Sequence, residues 1–438
     1  MVGLAARTAV GRVSASLRRR LGNDAALIEF HERNALRVAE QLSNARGLLM
    51  KVGQLLSFVD PGELVAAEHW SPYQRALTAL RDDVEPLDIE VVRAVVETEL
   101  GSTPEALFAT FDDVPFAAAS IGQVHGARLP DGTRVAVKVQ YPGVAAAIGA
   151  DIANTELLTT LLKLGQSTLP RMPHVDAGGL ATELGARIAE EVDYERERHN
   201  LEEFAGIYAD DPAIRIPATH PELSSSRVLT MERIDGLSWD QALTASQGLR
   251  DAWGVAIDRF FFRSIYRHGV FHADPHPGNY VFHDDGTVTI LDFGCVNRFD
   301  AATLAGFVAV AAAAVDADAP RLEATFRQYG FIGADAPGAE ELLAFYRPTF
   351  ESLIAPQPYR MGRAFSAGVL NQLNPYGPKG DISRRFNLPP KFVLTMRIYI
   401  GLFSVLAALE AEADWRAVYD EVLRYYYEHV EVTRHLDR

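Results

Sequence analysis

Residues 272–294 read HADPHPGNYVFHDDGTVTILDFG, and this stretch decides the fold. Two short apolar runs in it flank the turn sequence Asp284-Asp285-Gly286. Apolar runs on either side of such a turn predict a β-hairpin. A hairpin returns the chain to the edge that it left, so we expect Asp292 to lie beside the loop that carries Asp274 and Asn279.

These three residues match the phosphate machinery of kinases. The kinase catalytic loop reads H-R-D-x-x-x-x-N, and Asp274 and Asn279 keep its five-residue step, while Asp292 begins a D-F-G triplet. Phosphoryl transfer needs oxygen ligands on Mg²⁺ and a group that deprotonates or orients the nucleophile. We therefore predict Asn279 and Asp292 as magnesium ligands and Asp274 as the catalytic base. The alternative is a structural loop in which Asp274 and Asn279 only cap turns.

A strand lysine completes this set. Residues 124–129 and 134–139 flank a turn sequence and predict a second hairpin, and Val135-Ala136-Val137-Lys138 matches the V-A-I-K strand of kinases. That lysine binds the α- and β-phosphates as a compact point charge. The alternative for Lys138 is a solvated lysine at a strand end.

An acidic run at 190–197 is predicted to be helical, with Asp193 and Glu197 four residues apart on one face. A kinase needs one helical glutamate to orient its lysine, and we assign this catalytic role to Glu197 beside Lys138. The alternative is a solvated helix face with local ion pairs.

The nucleotide contacts differ from those of a protein kinase. Where the glycine-rich loop would stand, the chain has Ala117-Ala118-Ala119-Ser120. Glycine lets backbone N–H groups close on phosphates, whereas the Cβ of alanine restricts that approach. We expect this Ala-rich loop to hold the nucleotide in another way, together with Met231 and Glu232 of the strand-like run 227–233.

Two further departures argue against a protein substrate. Ala273 replaces the catalytic-loop arginine that receives an activation-loop phosphate. Only the seven residues from Cys295 to Ala301 separate Gly294 from helical sequence, and no A-P-E motif follows. We therefore expect no extended loop on which a peptide docks.

The order of elements predicts an α+β, protein-kinase-like two-lobed fold. Residues 1–105 form an N-terminal helical extension, 106–235 a small β-rich N-lobe with inserted helices, and 236–438 a helical C-lobe. A long amphipathic helix is predicted at 238–268, and Asp300 is placed to cap the next helix.

Taken together, the motifs resemble the UbiB-like family of atypical kinases, which is associated with coenzyme Q, over residues 40–410. The carriers of the resemblance are Lys51-Val52-Gly53-Gln54 (K-x-G-Q), the Ala-rich loop, Lys138, Glu191-Val192-Asp193 (E-x-D), His272 to Asn279 and Asp292-Phe293-Gly294.

The resemblance implies several properties. The N-terminal helices would cover the cleft where a protein substrate binds, with Lys51 and Gln54 occluding it and Lys51 meeting Glu191 and Asp193. ATP or ADP with Mg²⁺ or Mn²⁺ would be the cofactors. A lipid or quinone precursor would be the client, often at a membrane surface.

Composition limits the partners and the location. The net charge of −16 argues against nucleic acid, whose binding requires a basic surface. The single cysteine, Cys295, excludes an internal disulfide and fits a reducing compartment.

Residues 392–409 have nearly the length of a membrane span, but Arg397 favours a buried core helix. The arginine-rich first 22 residues fit a solvated helix, a transit peptide or a helix on anionic lipid. We expect a bacterial cytoplasmic protein, peripheral at the inner membrane face, or a mitochondrial one in a eukaryote.

Three functions remain open on the sequence. The first is an ATPase or small-molecule kinase that uses Mg²⁺-ATP. The second is a nucleotide-gated scaffold or lipid chaperone, in which the same residues sense ATP without turnover. The third is a Ser/Thr protein kinase.

Lys51 gives a direct test of the occluded cleft. We expect Lys51→Ala to alter the preference between ATP and ADP, or to expose autophosphorylation, because a buried cation that fills the cleft is removed. Nucleotide titrations and a phosphorylation assay measure both. Unchanged binding and activity would make Lys51 a surface residue.

Overall fold

The strand that carries Lys138, Arg134–Gln140, lies inside a five-stranded antiparallel sheet, between the strands Gly122–Arg128 and Val228–Glu232. The strands Thr110–Phe111 and Ala117–Ala119 both pair with Gly122–Arg128. The computed structural model describes residues 86–430, except 120, 154–173, 334, 374–379, 384, 389 and nine positions between 176 and 191. Most of the predicted N-terminal extension therefore lies outside the described residues.

The first half of the described chain contains the small-lobe sheet. Its elements are α1 (Ile89–Leu100), α2 (Pro104–Leu107), β1 (Thr110–Phe111), β2 (Ala117–Ala119), β3 (Gly122–Arg128), β4 (Arg134–Gln140), α3 (Val144–Ala153), β5 (His174–Val175), α4 (Tyr194–Ile207), β6 (Ile214–Arg215), a 3-10 turn (Pro221–Leu223) and β7 (Val228–Glu232).

Alternation along β4 decides which side of the sheet each residue faces. Val135, Val137 and Val139 pack with the buried valines of α1 in a small apolar core. Side chains of a strand point alternately to the two faces, so Lys138 lies on the opposite side, towards α4. The predicted hairpin is confirmed: β3 and β4 pair in antiparallel register, with Val124 opposite Lys138.

The second half of the chain builds the helical lobe. Its elements are α5 (Trp239–Leu243), α6 (Gln247–His268), β8 (Val270–His272), a 3-10 turn (Pro277–Asn279), β9 (Tyr280–Phe282), β10 (Val288–Ile290), β11 (Val296–Arg298), α7 (Ala301–Val315), α8 (Ala319–Gln328), α9 (Ala339–Tyr346), a 3-10 turn (Arg347–Phe350), α10 (Glu351–Ile354), β12 (Tyr359–Arg360), α11 (Arg363–Leu373), α12 (Gly380–Ser383), β13 (Asn387–Leu388), α13 (Pro390–Leu409), β14 (Glu412–Ala413), α14 (Trp415–Tyr425) and a π-helical turn (Tyr426–Val430).

The single long helix predicted at 238–268 is wrong, because α5 ends at Leu243 and α6 starts at Gln247. The hydroxyl of Thr244 donates to the carbonyl of Gln241, and Ser246 has an extended backbone at the start of α6. Serine and threonine hydroxyls compete for backbone groups and favour helix ends. The apolar periodicity continues through residues 244–246, so it did not indicate that the helix is interrupted there.

The hairpin predicted from residues 272–294 is confirmed. Strands β9 and β10 pair antiparallel, with Tyr280 opposite Ile290. The predicted cap of the following helix is also confirmed, because the Asp300 carboxylate accepts from the backbone N–H of Thr303. Strand β11 and α7 follow the D-F-G triplet at once, so the short connection predicted there is observed.

Helix α6 is the central element of the helical lobe, and its packing depends on a glycine. Trp253, Phe260 and Phe261 of this helix are fully buried. A Cβ added at Gly254 would overlap the Cβ of Ala411, which follows α13. The close approach of the two segments therefore requires glycine at this position.

We predict that Gly254→Ala lowers the free energy of unfolding by about 1 kcal/mol, because overpacking costs about 1–3 kcal/mol and outweighs the helix propensity gained. Gly248→Ala in the same helix is the control. Gly248 is exposed with no neighbour within 4 Å of an added Cβ, so this variant should be as stable as the parent or slightly more stable. Urea denaturation measures both. A Gly254→Ala protein as stable as the parent would contradict the close packing.

Candidate nucleotide and metal site

The ammonium group of Lys138 lies between two carboxylates. Its Nζ is 2.9 Å from both carboxylate oxygens of Glu197 and 3.3 Å from Oδ2 of Asp292. Lys138 is 5% exposed and Glu197 is 2% exposed, so water contributes little to this pair. The contacts join β4 of the small lobe, helix α4 and the D-F-G segment in one cluster.

Burial and the neighbouring charges shift the pKa values of Lys138 and Glu197 in opposite directions. Removal from water lowers the pKa of Lys138, but the carboxylates of Asp292 and Glu197 outweigh this effect and raise it well above its usual value. Burial raises the pKa of Glu197, although the positive charge of Lys138 opposes this. The lysine is therefore charged at neutral pH, as a phosphate-binding cation must be.

The catalytic loop and the D-F-G segment meet through the hairpin. The backbone N–H of Leu291 donates to the carbonyl of Asn279 at 2.9 Å, which places Asp292 next to Asn279. The side-chain amide of Asn279 donates to the backbone carbonyl and to Oδ2 of Asp274, both at 3.0 Å. Asp292 Oδ1 accepts from the N–H of Gly294 at 2.9 Å. Asp274, Asn279 and Asp292 are thus brought together.

The side-chain oxygens of Asn279 and Asp292 suit a magnesium ion that is bound together with a nucleotide. Within the described ranges, His, Cys, Asp and Glu form no cluster of three or more that could hold a metal alone. Magnesium in kinase sites takes one or two carboxylates, and the substrate phosphates and water complete its shell. Asp292 offers a carboxylate here, and Asn279 offers its amide oxygen, because its amide nitrogen donates to Asp274. The magnesium role predicted for both residues stays a prediction.

The Ala-rich segment lies at the edge of the small-lobe sheet. Ala117–Ala119, predicted as a loop, are a short strand paired with Gly122–Val124. Ala117 and Ala118 are exposed, and Ser120 lies outside the described residues. A Cβ at Gly122 would overlap the carbonyl oxygen of Val139 in β4, so glycine allows the close approach of β3 and β4 here.

Met231 and Glu232 end β7, beside the lysine strand. Met231 is buried opposite Ala136, and Glu232 lies opposite Val135. The backbone N–H of Glu232 donates to the carbonyl of Ala218 at 2.7 Å. The nucleotide contact predicted for both residues stays a prediction.

The continuous helix predicted over residues 190–197 is wrong, because Val192 and Asp193 are not helical. Helix α4 begins at Tyr194, and Asp193 precedes it as the N-cap, with a carboxylate that accepts from the N–H groups of Glu195 and Arg196. An aspartate before a helix satisfies N–H groups that have no partner within the helix. The roles predicted for Lys51, Gln54 and Glu191 lie outside the described residues.

The comparison with known proteins agrees with this geometry. The model of the ABC1 atypical kinase-like domain matches residues 79–325. The chain belongs to this family. The resemblance to UbiB-like kinases and the kinase-like fold expected from the sequence are both confirmed.

Relatives of the ABC1 family cover much of this chain. Rat mitochondrial atypical kinase COQ8B is 36% identical over 66% of this chain and 53% of its own length. The chloroplastic protein ACTIVITY OF BC1 COMPLEX KINASE 1 of Arabidopsis thaliana is 32% identical over 72% of this chain and 45% of its own length. The chain thus spans about half the length of these relatives. Rv3197 of Mycobacterium tuberculosis, solved in complex with erythromycin, is a structural neighbour with a TM-score of 0.62 and 28% sequence identity. The match covers 94% of this chain and 98% of Rv3197.

In the described part of this ABC1-family chain, no helix is long and apolar enough to cross a membrane. The apolar stretch at 392–409 forms most of α13, and its Leu402, Leu406 and Leu409 are buried. The interpretation of this stretch as a core helix agrees with that packing.

Sequence reasoning missed the contribution of Asn200. Its amide nitrogen donates to the carbonyl of Phe293 at 2.9 Å, and its amide oxygen accepts from Arg298 at 3.0 Å. Asn200 lies one helical turn after Glu197, and this i, i+3 spacing could have identified it. Helix α4 therefore holds both the lysine and the D-F-G segment.

His272 also has a function that the sequence did not show. Its Nε2 lies 2.5 Å from the carbonyl oxygen of Asp292, and burial lowers its pKa. A neutral imidazole therefore donates from Nε2 to this carbonyl. The first residue of the catalytic-loop motif thus positions the backbone of Asp292.

The buried pair predicts a non-additive effect on stability. We expect Glu197→Leu to lower the free energy of unfolding by about 3 kcal/mol, because it leaves the buried Lys138 short of a partner. The double variant Lys138→Met, Glu197→Leu should be less destabilised than Glu197→Leu alone, since no buried charge remains between β4 and α4.

Chemical denaturation of the single and double variants measures this coupling. Asp292 is partly exposed, with about a third of its side chain open to solvent (35%), and water can therefore hydrate it once the lysine is removed. Strictly additive losses would show that Lys138 and Glu197 do not act as a pair.

Proposed function

We propose that this protein is a Mg²⁺-ATP-dependent phosphotransferase or ATPase whose client is a small molecule of quinone or isoprenoid-lipid metabolism. The observation that carries the proposal is the buried Lys138 ammonium, in contact with Glu197 and Asp292. The hairpin of β9 and β10 brings Asn279 and Asp274 next to this cluster. Four chemical roles needed for phosphoryl transfer are thus available in one place.

Each residue has a distinct role in this proposal. Lys138 binds the α- and β-phosphates, and Glu197 fixes the position of its ammonium group. Asp292 and Asn279 hold Mg²⁺, which neutralises the charge that develops on the transferred phosphoryl group. Asp274 accepts the proton of the attacking hydroxyl or water, or orients it. The amide of Asn279 keeps that carboxylate in place.

The described structure supports a small client over a peptide. Strand β11 (Val296–Arg298) pairs with β8, and α7 begins at Ala301. The chain after the D-F-G triplet is therefore occupied by a strand and a helix, without the long loop that binds peptides in protein kinases. The COQ8 names of relatives and the resemblance to the UbiB-like family support a quinone-related or lipid client. The neighbour Rv3197, solved with erythromycin, supports a small-molecule client.

Asp292→Asn tests the metal assignment. We expect this variant to lose Mg²⁺-dependent ADP binding and ATP turnover by at least about a hundredfold, because a neutral amide replaces the carboxylate ligand of the ion. Calorimetric titration of ADP with and without Mg²⁺, and phosphate release from ATP, measure the two effects.

Asp284→Asn is the matched control, because Asp284 is exposed in the turn of the same hairpin. It should bind and turn over nucleotide as the parent does. In thermal unfolding, the parent should be stabilised by about 2.7 kcal/mol at a hundred times the dissociation constant of Mg²⁺-ADP. Equal Mg²⁺-ADP affinity of Asp292→Asn and the parent would contradict the metal site. Tight binding without turnover would favour the nucleotide-gated scaffold instead.

A further inference from the structure

The helical lobe contains a cavity of about 200 Å³ between α6, α7, α11, α13 and α14. Protein interiors are close-packed and hold few voids larger than a water molecule. The pocket opens in part to solvent, and a concave site lined mainly by apolar and aromatic side chains is typical of small-molecule binding.

Aromatic rings make up half of the described lining of this cavity. Phe262 and Tyr266 of α6, Phe307 of α7 and Tyr399 of α13 are among them. An engineered cavity of about 150 Å³ with an apolar lining binds benzene, so this larger one has room for a ring with a short substituent. The lining shares no residue with the nucleotide site built on Lys138, Glu197, Asp274, Asn279 and Asp292.

One carboxylate lines this aromatic cavity. Asp258 of α6 is 6% exposed, and no hydrogen bond or ion pair to its carboxyl group occurs within the described part of the chain. The guanidinium of its neighbour Arg259 lies 4.0 Å from Asp211, and its positive charge acts on Asp258 without forming an ion pair. Burial raises the pKa of Asp258 to about 7. A buried carboxylate without a partner is costly, and a cation is the partner that compensates it most fully.

Aromatic faces around a carboxylate favour one ligand chemistry. The negative faces of aromatic rings attract cations, and the attraction grows when the cation is removed from water. Asp258, Phe262 and Tyr266 follow one another at i, i+4 and i+8, so they lie on one face of α6. An ammonium group near Asp258 would meet both a carboxylate and aromatic rings.

We propose that this cavity is a second binding site, which takes a compact hydrophobic amine whose ammonium group pairs with Asp258 and whose apolar body fills the aromatic chamber. The site goes beyond the nucleotide chemistry proposed above and does not depend on it. It would let a cationic small molecule bind the helical lobe whether or not the protein turns over ATP.

Three probes of nearly the same shape test the proposal on the full-length protein. They are 2-phenylethylamine, 2-phenylethanol and propylbenzene, which end in an ammonium, a hydroxyl and a methyl group. We expect the amine to bind at least about tenfold more tightly than either neutral probe, as measured by calorimetric titration. A neutral probe that binds as tightly as the amine would overturn the assignment of a cation site.

Asp258→Asn isolates the charge. This variant should bind 2-phenylethylamine at least about tenfold more weakly and propylbenzene within about twofold of the parent. Asp251→Asn is the matched control, since Asp251 lies seven residues earlier in α6, bonds to Gln247 and the N–H of Glu412, and does not line the cavity. Unchanged amine affinity in Asp258→Asn would overturn the role of Asp258.

Ala311→Leu tests the location of the site. Ala311 lines the cavity from α7, and the larger side chain should abolish binding of all three probes. Ala302→Leu adds the same volume at an exposed position of α7 and should bind as the parent does. Circular dichroism and Mg²⁺-ADP titration of each variant show that the fold is kept. Amine binding that survives Ala311→Leu in a folded protein would overturn the cavity as the site, whereas loss of nucleotide binding alone would bear only on the nucleotide function.

Discussion

The contact between the Lys138 ammonium and the Glu197 carboxylate is the interaction on which the rest of this structure depends. The two groups lie 2.9 Å apart, and both are almost completely removed from water. A buried charge is unfavourable without a partner, so each of the two residues stabilises the burial of the other. The pair therefore fixes β4 against α4, although 59 positions separate the two residues in the chain. Asp292 adds the D-F-G segment to the same contact.

Aromatic rings pack directly beside the polar cluster formed by Lys138, Glu197 and Asp292. The ring of Phe293 lies 4.8 Å from Phe204 of α4 and 6.3 Å from Phe260 of α6, measured between ring centroids. Its backbone carbonyl accepts from Asn200, so side chain and backbone of one residue are both held. Asp292, directly before Phe293, is thereby held in position. If Asp292 holds Mg²⁺ as proposed, this fixed position favours phosphoryl transfer, which depends on the positioning of groups more than on covalent chemistry.

The helical lobe shows a different balance of polar and apolar groups. In the cluster around Lys138 the buried charges are paired within the chain. In the aromatic cavity the carboxylate of Asp258 has no such partner in the described chain. Helix α6 contributes to both regions, since Phe260 packs beside Phe293 while Asp258 and Phe262 line the cavity. Helix α6 thus packs against the polar cluster with one side chain and lines the aromatic cavity with others.

The sequence by itself determined the fold class, the two hairpins and the set Lys138, Asp274, Asn279 and Asp292. These features are local: a turn signal, a strand alternation and a five-residue step are all contained in short windows of the chain. The family resemblance rested on the same windows.

Only the tertiary structure decided the break between α5 and α6, the capping role of Asp193, the contacts of Asn200 and the cavity around Asp258. The first two depend on whether a side chain bonds to a nearby backbone group, which apolar periodicity does not reveal. The others depend on which side chains from distant segments meet. A single sequence carries no local signal for such a meeting, because burial and packing are properties of the assembled chain.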